Sequence, residues 1–245
     1  NAGYLVPELC IEQQLRQAAR HGADLHFNEP VLDFSTDSSG VTVRTARGSF
    51  TAAHLVITAG PWAPQLLPEA QLPLRVTRQV LFWFQPTGSL DAFRPAPHPA
   101  RFPIYLWETH PGDPMLYGFP LTSPDADGVK VALHGSEETG TPDTIDRTVR
   151  HDDEQRIRHR LATTIPTLSG RLLRAETCLY TMTPDEHFLI GPHPHQPNVT
   201  LALGFSGHGF KFAPVIGELI GQLATEGKTT QDTAMFSPTR FNVSS

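Results

Sequence analysis

The sequence predicts a mixed α/β (α+β) fold built from two interleaved domains, and three observations carry that prediction. A helical segment leads straight into short alternating β runs. A second group of β runs follows, separated by proline-bearing loops. The chain then closes on an apolar strand, a glycine-rich turn and an amphipathic helix. Sheet, second sheet, then strand-turn-helix is the order of a chain that leaves one domain and returns to it.

Residues 8–21 (ELCIEQQLRQAARH) are rich in good helix formers, set Leu9, Leu15 and Ala19 near one face, and stop at Gly22, a residue suited to C′. From Asp24 the runs DLHF, VLDFST, VTVRTA after the turn DSSG, and HLVITAG after the turn RGS predict an antiparallel meander. Residues 54–59 are almost wholly apolar before Gly60, which predicts a strand buried on both faces and ending at a ligand crevice. Segments 76–84, 104–107, 115–119 and 129–133 predict the second sheet, with many of the 23 prolines in the loops between them and 93–103 as one such loop. Residues 146–162 are charged and helical in period, with His151-Asp152-Asp153 as an alternative start, and predict a helix on the outside. Segments 174–182, 188–190 and 199–203 read as strands and 213–224 as a strong amphipathic helix.

Composition bounds the function. A length of 245 residues with 39% hydrophobic content suffices for a substantial core. A formal charge of −6, from 19 basic and 25 acidic residues, argues against nucleic acid as a partner. No apolar run approaches the roughly 18 residues needed to span a bilayer, and none reads as a signal peptide, which predicts a cytoplasmic protein with no membrane partner. Cys10 and Cys178 are too few for a disulfide framework and have no CxxC spacing. The chain opens on Asn1 and not Met, which raises the expectation of a piece of something longer.

Three segments hold candidate chemistry. In LALGFSGHGFKFAPVIG (201–217) an apolar strand enters a turn with Gly204, Gly207 and Gly209 and a helix leaves it, so backbone N–H groups can converge at the positive helix end. The spacing GxxGxG is not the dinucleotide fingerprint, and an ordinary tight connection fits it as well. Lys211, in the first helical turn, reads either as a carboxylate ligand or as a lysine reaching to water. In TCLYTMTPDEHFLI (177–190), Cys178 reads as a small buried hydrophobe or as a thiolate attached to a cofactor. Asp185-Glu186-His187 lacks metal-ligand spacing and reads as a turn with a structural salt bridge, and His193-Pro194-His195 as a surface loop, so no metal site is predicted. In 117–134, YGFP precedes VKVALH, and Lys130 and His134 fall on one face of a strand, as a shared pocket or an exposed edge.

Together, GFSGHGFKFAP, CLYTMTPDEHF, YGFP followed by KVALH, and AGPWAPQLL with the later RQV resemble the monomeric sarcosine oxidase and N-methyltryptophan oxidase family of flavoenzymes, over essentially the whole chain. The resemblance implies the C-terminal part of an FAD-binding Rossmann-like domain (residues 1–66 and 171–245) interleaved with an antiparallel-sheet substrate domain (67–170). It implies FAD joined to Cys178 by a thioether, Lys211 on the substrate carboxylate, Lys130 activating oxygen, and Tyr117 and His134 lining the amine pocket. Gly207, His208, Gly209 and Phe210 would wrap the flavin ring, and Val31, Gly60 and Trp62 would fall in the flavin-binding domain. The implied reaction takes an N-methyl amino acid, oxygen and water to the amino acid, formaldehyde and hydrogen peroxide, the product imine being hydrolysed, in a monomeric enzyme.

The family's opening βαβ unit with GxGxxG, and its N-terminal carboxylate-binding arginine, have no counterpart in these residues, which predicts a fragment that is inactive alone. The competing expectation is a non-catalytic substrate-domain remnant, or a subunit of a multi-chain flavin dehydrogenase. Residues 118–129, with Leu121, Thr122 and Ser123, are expected to form the variable pocket wall.

Overall fold

The computed structural model describes residues 3–99, 101–122 and 128–241. Asn1, and Ser123 of the expected pocket wall, lie outside them. Along the chain run α1 (Pro7–Arg20), β1 (Val31–Asp37), β2 (Gly40–Thr45), β3 (Ser49–Ala52), β4 (Leu55–Ile57), α2 (Ala63–Leu66), β5 (Arg75–Phe84) and β6 (Tyr105–Trp107). Then follow β7 (Met115–Gly118), β8 (Val129–His134), β9 (Thr139–Gly140), α3 (His151–Thr164), β10 (Leu172–Met182), β11 (Leu189–Pro192), β12 (Val199–Leu203) and α4 (Ala213–Glu226). The chain divides into two compact units, one of Asn1–Tyr4 and Val76–Leu179, the other of Leu5–Arg75 and Tyr180–Ser245.

The first unit is built on a sheet of order β10-β5-β8-β7-β6, with β9 pairing β5. Antiparallel register sets Trp83 opposite Lys130, Leu81 opposite Ala132, Tyr117 opposite Ala132 and Met115 opposite His134. Strand alternation then sorts the side chains. Phe82, Phe84, Leu116, Val129 and Val131 point to one face and are buried with Ile157 and Leu161 of α3. Trp83, Tyr117, Lys130 and His134 point to the other face, and all four are only half-buried.

Helix α3 begins at His151, not at residue 146. The buried Arg78 guanidinium donates to the carbonyls of Asp146 (2.8 Å) and Thr148 (2.6 Å), so those oxygens are not left for a helical ladder. Asp153 accepts from the Arg150 N–H at 2.9 Å and starts the helix there. The two-residue β9 is too short for a period-two pattern, and nothing in the sequence announces it.

The second unit holds two three-stranded sheets, β1-β2-β3 and β11-β12-β4. Helix α1 ends as expected at Gly22, whose φ of +90° permits the paired bonds Gly22 N–H to Ala19 and Ala23 N–H to Ala18. Residues 24–27 (DLHF) form no strand. The His26 ring bonds Asp24 at 3.0 Å and Glu29 at 2.9 Å, which folds the segment onto its own side chains. The meander's third strand is β3, and β4 leaves it to pair in parallel with β12, Leu55 opposite Val199. Ile57 is buried, whereas Leu55 and Val56 are half-buried, so β4 is less enclosed than its apolar sequence suggested. Leu219 of α4 packs on Ile190 and Ala202.

Candidate active site

On the open face of the five-strand ladder, the Lys130 ammonium lies 5.2 Å from the Trp83 ring centroid and 5.4 Å from that of Phe119. The Arg174 guanidinium lies 4.6 Å over the same indole. Arg174 and Cys178 are four apart on β10 and share a face by alternation. Cys178 is a free, half-buried thiol. Its burial pushes the thiol up from its ordinary value, and the charge of Lys130 pulls in the opposite direction. Tyr117 and His134 meet edge to face at 6.2 Å, and Tyr117 meets Phe119 the same way at 6.4 Å.

The first unit therefore collects Lys130, Tyr117, His134 and Cys178 on one sheet face. Sequence reasoning missed Trp83, Phe119 and Arg174 beside them. The run LFWF does set Trp83 out of phase with its buried neighbours Phe82 and Phe84, and that phase was the available signal.

In the second unit the glycine-rich turn follows β12. Gly204 (φ +60°), Ser206 (+49°) and Gly207 (+79°) carry the backbone through the left-handed region. A Cβ on Gly207 would come 2.3 Å from the Tyr180 ring, so the turn lies flat against that tyrosine. The N–H groups of Ser206, His208 and Phe212 donate to the carbonyls of Thr181, Phe205 and Gly209. These three donors are thus held internally and do not converge on an anion. Lys211 sits not in the first turn of α4 but in a 3₁₀ turn, Phe210–Phe212, just ahead of it. Its ammonium is 5.5 Å from the Phe212 ring centroid.

His208 is tied down: its Nε2 is 3.0 Å from the Glu186 carbonyl and its ring is 4.9 Å from Phe188. Gly209 and Phe210 line an open apolar cavity of about 390 Å³ with Thr58, Ala202, Phe205 and Ile216. Val31 lines a second, with Phe34, Leu55 and Ile57, and Thr58 borders both. Gly60 (φ +52°) opens the 3₁₀ turn after β4, and Trp62 in that turn is exposed.

The remaining polar motifs have structural roles. Asp185 receives two bonds from Arg240 (2.8 and 2.9 Å), which hold its carboxyl well below the ordinary range, and the turn is the expected salt-bridged one. His193 is not at the surface. Its side chain is fully buried, because its N–H continues the β11–β12 pairing to the Val199 carbonyl at 2.8 Å, and burial pushes the imidazole down from its ordinary value. No group of three or more His, Cys, Asp or Glu among the described residues could hold a metal ion, and no helix there is long and apolar enough to cross a membrane.

A family model described as FAD dependent oxidoreductase (DAO) matches residues 1–223. A monomeric sarcosine oxidase of Streptomyces avermitilis is 46% identical over 242 residues, covering 98% of this chain and 62% of that protein. An N-methyl-L-tryptophan oxidase of Salmonella agona is 34% identical over 245 residues, covering 99% and 62%. Among solved structures, NikD, an unusual amino acid oxidase essential for nikkomycin biosynthesis, superposes with a TM-score of 0.74 at 25% identity, covering 94% of this chain and 58% of that one. The chain thus spans about 62% of the length of these curated relatives.

Proposed function

The chain belongs to the FAD dependent oxidoreductase (DAO) family, and on that premise we propose that the whole protein oxidises a secondary amine. The reading takes sarcosine or a related N-methyl amino acid, with oxygen and one water that hydrolyses the imine, to the amino acid, formaldehyde and hydrogen peroxide. Two kinds of relative support the substrate class, one named for sarcosine and one for N-methyl-L-tryptophan. The observation that carries it is the gathering of Lys130, Tyr117, His134 and the free thiol Cys178 on one open sheet face.

Each unit by itself carries residues that suit a flavin: the first a half-buried thiol on the sheet face that bears Lys130, the second an apolar cavity bordered by Gly209 and Phe210. When bound, FAD supplies the two-electron acceptor for amine oxidation. Cys178 is the proposed covalent attachment point. Lys130 would stabilise negative charge as it develops on oxygen, since a fixed cation in a partly desolvated site needs no reorganisation. The same charge disfavours a bound ammonium, so the amine would be held neutral beside the Tyr117–His134 pair. Lys211 is proposed to take the substrate carboxylate. In the other unit, Gly207, His208, Gly209 and Phe210 would border the flavin ring, with Val31, Gly60 and Trp62 further out in the cofactor-binding part.

The test is product analysis on the full-length protein. Sarcosine-dependent oxygen uptake with equal yields of formaldehyde and peroxide supports the reading. Amine oxidation without peroxide, its electrons going to an added dye, would replace oxygen as acceptor, and no formaldehyde would remove the demethylation altogether.

A further inference from the structure

Trp83 faces Lys130 directly across the β5–β8 pair. The ammonium lies 5.2 Å from the indole centroid, inside the range in which a ring quadrupole attracts a cation. Lysine is a flexible chain of four carbons with a strongly hydrated head, and left alone it samples many rotamers. On this face its head is bounded by two rings, Trp83 and Phe119, and indole is the better cation partner. The indole is itself held under the Arg174 guanidinium, which is paired with Glu176. Its neighbours Phe82 and Phe84, both buried, anchor the strand on either side.

We propose that Trp83 is a positioning residue for Lys130: its indole face fixes where the ammonium stands on the open sheet face. The inference rests on the reading of Lys130 as the cation that meets oxygen, and it adds the group that sets that cation's location. A reporter lies on the same face: Cys178 is four residues along β10 from Arg174, whose guanidinium stands over the Trp83 ring, so strand alternation sets its thiol on the side of Lys130. If Trp83 releases the ammonium, Cys178 loses the field of that charge and its thiol titrates at higher pH.

The experiment uses the full-length protein with Trp83→Leu, Trp83→Phe, Lys130→Met and the double variant Trp83→Leu/Lys130→Met. The first readout, on flavin-free protein, is the pH profile of Cys178 alkylation by iodoacetamide. Lys130→Met and Trp83→Leu should both move it to higher pH, Trp83→Phe should move it less, and the double variant should match Lys130→Met alone, since two changes acting through one group do not add. The second readout is the rate of reoxidation by oxygen after anaerobic reduction with sarcosine. Trp83→Leu should slow it roughly 3- to 30-fold, the range expected for losing a partly desolvated cation–ring contact, with reduction by sarcosine nearly unchanged.

An alkylation profile in Trp83→Leu like that of the parent overturns the inference. So does a Trp83→Leu shift of full size in the Lys130→Met background, which would mark Trp83 as merely structural. If Lys130→Met leaves reoxidation unaltered while the alkylation profiles behave as expected, the oxygen reading fails and the positioning of Lys130 by Trp83 stands.

Discussion

His134 meets Tyr117 edge to face, with ring centroids 6.2 Å apart and planes at 79°, although the two residues sit on different strands. The contact exists because β7 and β8 pair with Met115 opposite His134, which leaves Tyr117 one diagonal step away on the same face. If this pair lines the amine pocket, His134→Ala should lower kcat/KM for sarcosine about 10-fold, and Tyr117→Phe, which keeps the ring, by less. Steady-state kinetics on the full-length protein check this ordering, and the reverse ordering would shift the recognition to the tyrosine hydroxyl.

Cys178→Ala should abolish flavin fluorescence in the protein band of a denaturing gel and leave far-UV circular dichroism unchanged. The thiol is half-buried, so its loss leaves a small void, with a stability change on the order of 1 kcal/mol. Fluorescence persisting in the variant would place the attachment elsewhere.

Arg78 and Asp153 form a nearly solvent-free pair, with side chains 2% and 8% exposed and nitrogen to oxygen distances of 2.8 and 3.0 Å. Arg78→Met should cost about 3–5 kcal/mol in urea denaturation, because it strands a buried carboxylate and two carbonyls. Adding Asp153→Leu should recover part of that loss, since the stranded charge is then gone.

Asp185 titrates below its ordinary value because Arg240 binds it. For a depressed carboxyl, the contribution to stability is present above the unfolded value, about 3.9, and is lost as pH falls through the lower folded value. The melting temperature of Asp185→Asn should therefore trail the parent most near neutrality and converge with it in strong acid. A gap constant from pH 7 to pH 2 would assign the deficit to the altered hydrogen bonds of the turn.

Gly207→Ala should displace the Tyr180 ring and destabilise by about 1–3 kcal/mol, from a Cβ 2.3 Å off the ring and a positive φ together. Thermal denaturation and tyrosine fluorescence of the variant would report the two effects.

Period two was enough to put Lys130 and His134 on one side of a strand, and helix formers with a terminal glycine were enough for α1. What stayed hidden depended on partners far along the chain. Strand β4 reads as the next meander strand until β12, some 140 residues on, is known to be its neighbour. Residues 146–150 keep a helical pattern, yet Arg78 on β5 takes their carbonyls. His193 beside Pro194 looks solvent-facing in sequence, and the Val199 carbonyl draws it inside. The motifs named Lys130, Tyr117, His134 and Cys178, whereas Trp83 and Arg174 join that face only through the pairing of β5 with β8 and β10 and had no motif to announce them.

The alternation along β8 has a consequence for how such a protein can diversify. Val129, Val131 and Leu133 answer to the core, while Lys130 and His134 answer to the other, half-buried face, so the two demands fall on interleaved codons. Point substitutions can retune the open face without touching the packing beneath, and the packing can drift without moving the chemistry. Insertion or deletion of one residue within β8 is the change this layout forbids, since it would hand each set of side chains the other's task.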